Sequence, residues 1–411
     1  MKIDVCPITG SKDVVKFLDL GMIPIEGNLT DTKEESINAK RYPMVLQYCP
    51  ESKLATLEEY VNPDEIYENY LYHSSISKPY LEHCSKMYDY LEKYITICSR
   101  DTIVDIGGND GSLLTEFNKK MPPHSRDTLQ MINVECSKSF ADINKKAGIW
   151  YFNEYFGENT DLSFARRKPV LITSTNVFQH TEPMRSFVKG ITKNLANDGV
   201  WCLEFPYFLS ALITDNYDQA YHEHVYYYFL TPLKQLFEQE GLKIINVSFH
   251  DIHTGTLRII SALKDSELEP DNTVNSFLNF EKVIDKDYLV NWGNLIEMKI
   301  EKFKIYLEVL KRSGAKIVGF GAAIKGCVFL NTCNLDYKTI DYIIDDTPEK
   351  QGKFVPGTGI EVFSREILKG NPPNYILILA HNFSDYIIKS LKESGYKGKF
   401  LVMFPNIQVI E

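Results

Sequence analysis

The sequence predicts an α/β protein, with two doubly wound domains in tandem behind a small N-terminal module. Short apolar strands alternate with helical stretches from 102 to 247, the pattern of a parallel sheet with crossover helices. A second succession of strand, glycine-rich turn and helix begins at 315. The 411 residues also exceed what a single core readily organises. The expected divisions are 1–75 for the module, 76–248 for the first α/β domain and 249–411 for the second.

Taken in order, residues 1–60 read as short irregular pieces. Cys6-Pro7-Ile8-Thr9 and Cys49-Pro50-Glu51-Ser52 each look like half of a small knuckle. From 63 to 98 the pattern turns helical, with aromatics at Tyr67, Tyr70, Tyr80, Tyr88, Tyr90 and Tyr94. A strand at 102–106 contains Asp105, a glycine-rich turn follows, and a helix starts at Ser112. Strands at 130–135, 170–173 and 199–205 and a helix at 183–196 continue the alternation. Residues 273–313 repeat Leu289, Trp292, Leu295, Ile296, Ile300, Phe303, Leu307 and Leu310 at helical spacing, and Gly314 is a helix stop. Strands at 315–320 and 339–344 flank the turn at 319–326, and strands at 375–380 and 400–402 follow.

Composition is that of an ordinary globular protein, with 44% hydrophobic and 24% charged residues. A net charge of -10 argues against nonspecific binding to nucleic acid or an anionic membrane, because both need a basic surface. An anionic small substrate remains open, since a local basic pocket suffices. No apolar run spans a bilayer and none follows Met1, so a cytoplasmic location is expected. The eight cysteines lack framework spacing and suit reduced thiols. A monomer or homodimer is expected.

The first glycine-rich turn, 105–111, is the most informative segment. Glycines let backbone approach a ligand, and the following helix N-terminus offers unpaired N–H groups. Dinucleotide folds cradle a pyrophosphate there. Asp105 and Asp110, flanking Gly107, Gly108 and Asn109, would repel a pyrophosphate. They suit a cationic ligand carrying an amino group and a sulfonium, which is S-adenosylmethionine, with S-adenosylhomocysteine as its product. Glu135 lies 24 residues past Gly111, where an acid can accept both ribose hydroxyls.

In the same chain order, the sequence resembles the class I sugar C-methyltransferases that act on nucleotide-linked 4-keto-deoxysugars. The resemblance runs from Cys6 to Asn382. It is carried by D-I-G-G-N-D-G-S-L-L at 105–114, N-V-F-Q-H at 176–180, E-F-P-Y at 204–207 and Y-H-E-H at 221–224. H-T-G-T-L-R at 253–258 stands where the family usually reads H-G-G-S-L-R. Gly319 to Gly326, D-D-T-P-E-K-Q-G at 345–352, Pro356-Gly357 and His381-Asn382 complete it. The resemblance implies a class I methyltransferase Rossmann-like domain, a small N-terminal module and a second Rossmann-like domain. The family usually binds one zinc with two CxxC pairs, whereas here Thr9 and Ser52 replace the second member of each. Four-ligand closure stabilises such a knuckle, and neutral hydroxyls are poor zinc ligands. Zinc loss is therefore expected, with weak residual binding through Cys6 and Cys49 as the alternative.

Methylation at carbon needs a carbanion equivalent, and a 4-keto group acidifies the hydrogen on C3 of a sugar. His224 is the candidate base, Tyr221 the candidate donor to the C4 oxygen, and Glu223 orients His224 or binds a sugar hydroxyl. The resemblance implies the same for the matching Tyr and His. His222 and His224 could instead pair on a metal, but no third ligand stands nearby in the sequence. Asn176 and His180, at the end of a strand, are assigned to the cofactor. Tyr70, Tyr72, Ser74 and Ser75 are expected to close over cofactor and sugar. Lys325 in the second turn, with Arg258, would hold the nucleotide's diphosphate, and Asn331 and Asn382 would orient the substrate.

The expected function is S-adenosylmethionine-dependent methyl transfer to C3 of a GDP- or dTDP-linked 4-keto-6-deoxysugar, a step in branched deoxysugar biosynthesis. Sugar O-methylation is the nearest alternative. An NAD-dependent oxidoreductase using the second turn, with Asp345 on the ribose, and a non-catalytic sugar-nucleotide binder are further ones.

Overall fold

The computed structural model describes residues 1–67, 73–126, 128–252, 255–370 and 372–411. The expectations placed on Tyr70, Tyr72, His253 and Thr254 therefore lie outside the described residues.

The first sixty residues are more regular than their sequence suggests. They form an antiparallel sheet of β1 (Val15–Pro24), β2 (Arg41–Cys49) and β3 (Leu54–Leu57). Two register shifts in β1 scramble the inside–outside alternation that announces a strand. The helical pattern expected from 63 to 98 resolves into more than one helix. Pro63–Tyr67 is one helix and Lys78–Leu91 another. The second begins where the Ser77 side chain accepts the N–H of Tyr80, with Pro79 in the first turn.

The middle unit is built on β4 (Thr102–Ile106), β5 (Gln130–Val134), β6 (Trp150–Phe152), β7 (Leu171–Thr175) and β8 (Val200–Pro206), all parallel. After β8 the chain leaves this sheet. Its short strand β9 (Tyr226–Tyr227) pairs with β3 and becomes the fourth strand of the N-terminal sheet. The chain then returns as β10 (Leu242–His250) and β11 (Thr256–Leu263), both antiparallel to their neighbours. The finished sheet runs β10-β11-β8-β7-β4-β5-β6. The boundary expected between 248 and 249 thus falls inside β10, and β11, assigned to the last domain, belongs to the middle sheet. Antiparallel edge strands lie outside the βαβ repeat that guided the expectation.

The C-terminal sheet comprises β12 (Ile317–Phe320), β13 (Ile343–Ile344), β14 (Phe354–Val355), β15 (Ile360–Phe363), β16 (Tyr375–Ile378), β17 (Lys399–Val402) and β18 (Gln408–Ile410), in the order β14-β15-β13-β12-β16-β17-β18. Its five central strands are parallel and both edges antiparallel. Among the described residues no helix is long and apolar enough to cross a membrane.

Between the two α/β units runs the helix Lys286–Arg312, capped by the Asp285 side chain on the N–H of Tyr288 and followed by Gly314 at φ +86°. It packs on β1 so closely that a Cβ at Gly293 would lie 1.6 Å from the carbonyl oxygen of Phe17. Neither backbone can yield cheaply. Gly293→Ala is therefore expected to lower unfolding stability by about 1–3 kcal/mol or more, read by urea denaturation; an unchanged midpoint would contradict this packing.

Candidate active site

The carboxyl ends of β4, β5, β7 and β8 open onto a cleft of about 800 Å³, whose wall includes Ile106, Val134, Thr175 and Pro206. Open α/β sheets bind ligands at this edge. Asn62, Pro63 and Asp64 close the cleft from the N-terminal unit, and Ile324, Lys325 and Asn382 from the C-terminal one.

One side of the cleft is the 107–111 turn. Gly107 sits at φ +66° and Asn109 at φ +51°. A Cβ on Gly108 would lie 2.6 Å from Asn133 Oδ1 and 2.7 Å from Asp105 Oδ2, so this position admits only glycine in the observed shape. Asn133 Oδ1 accepts the Gly108 N–H at 3.1 Å, and Glu135 Oε2 accepts the Asn109 N–H at 3.0 Å. Glu135 lines the cleft beside the turn, and its second oxygen accepts the Ser137 N–H at 2.9 Å. A carboxylate has about four lone-pair sites, so these bonds fix Glu135 without exhausting it.

The two aspartates take a different part from the one expected. Asp105 is buried beneath the turn, accepts the Thr173 hydroxyl at 2.7 Å, and is pushed up to about 7 by burial. Asp110 accepts the Ser112 N–H at 3.3 Å and the Ser75 N–H at 3.0 Å. Neither lines the cleft; both shape the turn from behind. Uncharged acceptors face the cavity instead. Asn176, held at φ +56°, and Gln179 both line it. Asn176 Oδ1 and Gln179 Oε1 are buried without a hydrogen-bond partner among the described residues. Buried acceptors without donors are costly, and these fit the ammonium, amine and hydroxyl donors of S-adenosylmethionine. Gln179 was not singled out from the sequence because it occupies the variable place in N-V-F-Q-H.

Across the cleft stand Tyr221, Glu223 and His224, with His180 behind them. The ring of His224 lies 3.9 Å from that of Tyr221 and 5.1 Å from that of His180, centre to centre. His224 Nδ1 is 3.1 Å from the carbonyl oxygen of Gln219. A carbonyl can only accept, so the proton resides on Nδ1 and Nε2 carries the basic lone pair. Burial, with His180 and Lys325 nearby, holds the His224 imidazolium well below its ordinary range. Burial pushes His180 down to about 3. Glu223 is pushed up to about 8 by burial and then by the charge of Glu26. Lys325 is lowered by burial, against the pull of Asp218, whose Oδ2 meets His381 Nε2 at 2.6 Å. Ser74 lines the cleft, and its N–H donates to Asn109 Oδ1 at 3.2 Å; Ser75 is exposed and touches Asp110 instead.

Two expected substrate ligands lie elsewhere. Arg258 faces Glu204 directly across β11 and β8, bonding it at 2.6 Å, and its guanidinium lies over the Tyr90 ring. His83 Nε2 meets the same carboxylate at 2.9 Å. The register of β11 buries this group inside the middle unit, away from the cleft. Asn331 is turned away as well. Its Nδ2 donates to the Pro356 carbonyl at 3.1 Å and its Oδ1 accepts from Arg41 at 3.2 Å. The second glycine turn also offers less than expected. The Ala322 N–H already donates to Asp345 Oδ2 at 2.8 Å, and Lys350 contacts both residues. That carboxylate is an internal counter-charge rather than a ribose ligand, leaving Lys325 as the turn's contribution to the cleft.

The four knuckle positions do converge, but on one another. Cys6 Sγ lies 3.1 Å from Ser52 Oγ, and Cys49 Sγ 3.9 Å from Thr9 Oγ1. Among the described residues no three His, Cys, Asp or Glu side chains gather as metal ligands. Two thiols and two hydroxyls do not fit a structural zinc.

The placement of Arg258 generates a test. Arg258→Ala leaves Glu204 buried with only His83 beside it and is expected to cost about 3–5 kcal/mol of stability, measured by chemical denaturation. A variant of normal stability and weakened substrate binding would restore Arg258 as a ligand.

Three family models divide the chain. Residues 80–247 match a methyltransferase domain, 251–405 a C-methyltransferase C-terminal domain, and 6–67 a domain family named for zinc binding. The C-methyltransferase NovU of Streptomyces niveus is 27% identical over 416 residues, covering 99% of this chain and 97% of its own. Among solved structures, an S-adenosylmethionine-dependent methyltransferase from Clostridium acetobutylicum is 12% identical with a TM-score of 0.35, over 49% of this chain and 95% of its own. The magnesium protoporphyrin IX methyltransferase of Synechocystis is likewise 12% identical with a TM-score of 0.35, over 45% and 83%. With methyltransferase and C-methyltransferase C-terminal domains in one chain and a C-methyltransferase matching it end to end, the protein is an S-adenosylmethionine-dependent methyltransferase.

Proposed function

We propose that this enzyme transfers a methyl group to C3 of a nucleotide-linked 4-keto-6-deoxysugar, carrying GDP or dTDP, in the making of branched deoxysugars. The observation that carries this reading is the gathering of Tyr221, Glu223 and His224 on one cleft, with His224 Nδ1 held 3.1 Å from the Gln219 carbonyl oxygen. A neutral His224 has its basic Nε2 lone pair available by tautomer, next to Tyr221 and to a Glu223 in its acid form. A base beside two O–H donors is the equipment for enolising a ketone. Bound S-adenosylmethionine supplies an electrophilic methyl. His224 Nε2 takes the C3 proton, and the electrons of that bond move into the C3–C4 bond as the carbonyl becomes an enolate. Tyr221 donates a hydrogen bond to the C4 oxygen, and Glu223 donates to a sugar oxygen. Methyl transfer to C3 would use the enolate electron pair, break the methyl–sulfur bond, release S-adenosylhomocysteine with that bond's electrons and re-form the ketone. Lys325 and Asn382, on the C-terminal wall, are assigned to the nucleotide end. The same reading keeps the protein in the cytoplasm, where its thiols stay reduced, and has its N-terminal unit fold without zinc.

The decisive experiment is solvent-deuterium exchange at C3 of a 4-ketosugar nucleotide, followed by mass analysis of the product. Exchange and a C-methyl product are expected; an O-methyl product without exchange would sink the proposal. His224→Ala should lower turnover by about 10²–10⁴-fold with cofactor affinity little changed. For pH dependence, His224 is active when neutral and its lowered pKa keeps it so below the ordinary histidine value. The acid form of Glu223 is present below about 8 and is lost as pH rises through it. Activity should therefore persist on the acid side and fall above about pH 8, as a kcat profile would record. Metal analysis of the purified protein should find no stoichiometric zinc, and chelation should leave its melting temperature unchanged; four-ligand zinc binding would refute that part.

A further inference from the structure

One residue in contact with the 221–224 segment comes from an unexpected place. Glu26 lies in the turn that follows β1, in the N-terminal unit, yet it is buried to 3% exposure. Its Oε2 accepts the backbone N–H of His222 at 3.3 Å. Its Oε1 stands 2.9 Å from His222 Nδ1, close but without hydrogen-bond alignment. Glu26 Oε1 and both ring nitrogens of His222 lack a hydrogen-bond partner among the described residues. A carboxylate and an imidazole buried face to face need each other, since either alone would carry the full desolvation cost.

We propose that Glu26 is a positioning residue for the methyl transfer, holding the 221–224 segment through His222 and setting the charge carried by Glu223. The proposal rests on the reading of Glu223 and His224 as the reacting pair of the cleft. The first effect is geometric: the bond to the His222 N–H fixes the backbone immediately before Glu223. The second is electrostatic. Two buried carboxyls that share a site resist ionising together, and the nearby Glu26 is the charge that raises Glu223 beyond the effect of burial. The other groups facing this pair are known. Tyr42 sets its ring edge-on to His222 at 5.8 Å. Tyr227 and Cys327 both feel the Glu26 charge, and Arg41 opposes it at Cys327. On the cleft side Lys325 influences His224. The first two of these are neutral at working pH, raised by burial, as is Cys327.

Infrared titration of the full-length protein tests the electrostatic effect without any substrate, and turnover tests the geometric one. The carbonyl band of the protonated Glu223 carboxyl is assigned by its loss in Glu223→Gln and followed with pH. In the wild type it should vanish near pH 8. In Glu26→Gln, which keeps the shape and removes the charge, the acid constant of Glu223 should rise about tenfold, moving the midpoint to lower pH. Glu26→Asp, which keeps the charge on a shorter arm, should hold the wild-type midpoint while kcat falls and cofactor KM stays constant. An unchanged midpoint in a cooperatively melting Glu26→Gln protein overturns the proposal. So does an equal shift in both variants, or a normal kcat in Glu26→Asp; that last variant decides the matter should the Gln protein fail to fold. Failure of the sugar assignment shows instead as a wild type that leaves every 4-ketosugar unmethylated while the infrared titration stands.

Discussion

The pairing of β9 with β3 is the contact on which the active cleft depends. Only two residue pairs make it, Ala55 with Tyr227 and Thr56 with Tyr226, extended by the Leu57 N–H on the Val225 carbonyl. Those few bonds anchor, immediately after the 221–224 segment, the chain that left the middle sheet at the end of β8. Tyr221, Glu223 and His224 are thereby presented to the cleft that Gly107, Gly108 and Asn109 also line. Aromatic packing secures the detour: Tyr227 rests on Phe208, and Tyr228 stacks on Phe178 at 5.1 Å. The N-terminal unit is thus part of the frame that holds the 221–224 segment at the cleft.

The cleft has one wall fixed by backbone bonds, the proposed cofactor side, and another tuned by burial, the proposed reacting side. On the first, Glu135, Asn133 and Asn109 are locked to one another through main-chain groups. On the second, burial disfavours charge on His180, His224, Glu223 and Lys325 alike. A cleft that penalises charge in its empty walls strengthens every interaction with a charged ligand that enters it.

What could be read from the sequence was what is local. The 107–111 turn, its helix and Glu135 on the next strand follow from spacing within one βαβ unit, and their placement on the cleft agrees with that spacing. The N-V-F-Q-H and Y-H-E-H segments were also found as contiguous strings. The failures are non-local. Arg258 was assigned by its charge, but its neighbour is decided by the β11–β8 register, which sets it across from Glu204. Asp105 and Asp110 were read as facing the ligand, whereas the tight path of the turn points both away. β1 was hidden by its irregular register. Glu26 carried no signal at all, because its meaning comes from a contact 196 positions along the chain.

The helix Lys286–Arg312 has a consequence for motion. Its 27 residues span about 40 Å. Gly293 seats it on β1. Lys299 ties it at once to Asp215 of the middle unit, at 2.6 Å, and to the carbonyl of Pro405 in the C-terminal unit, at 2.7 Å. Trp292 adds a second bond to Asp215 at 3.1 Å. One rigid rod is pinned to all three units. Hinge rotation of one unit against another would have to break these ties together. Ligand exchange in this enzyme is therefore left to rearrangement of individual segments around the cleft mouth, while the frame stays still.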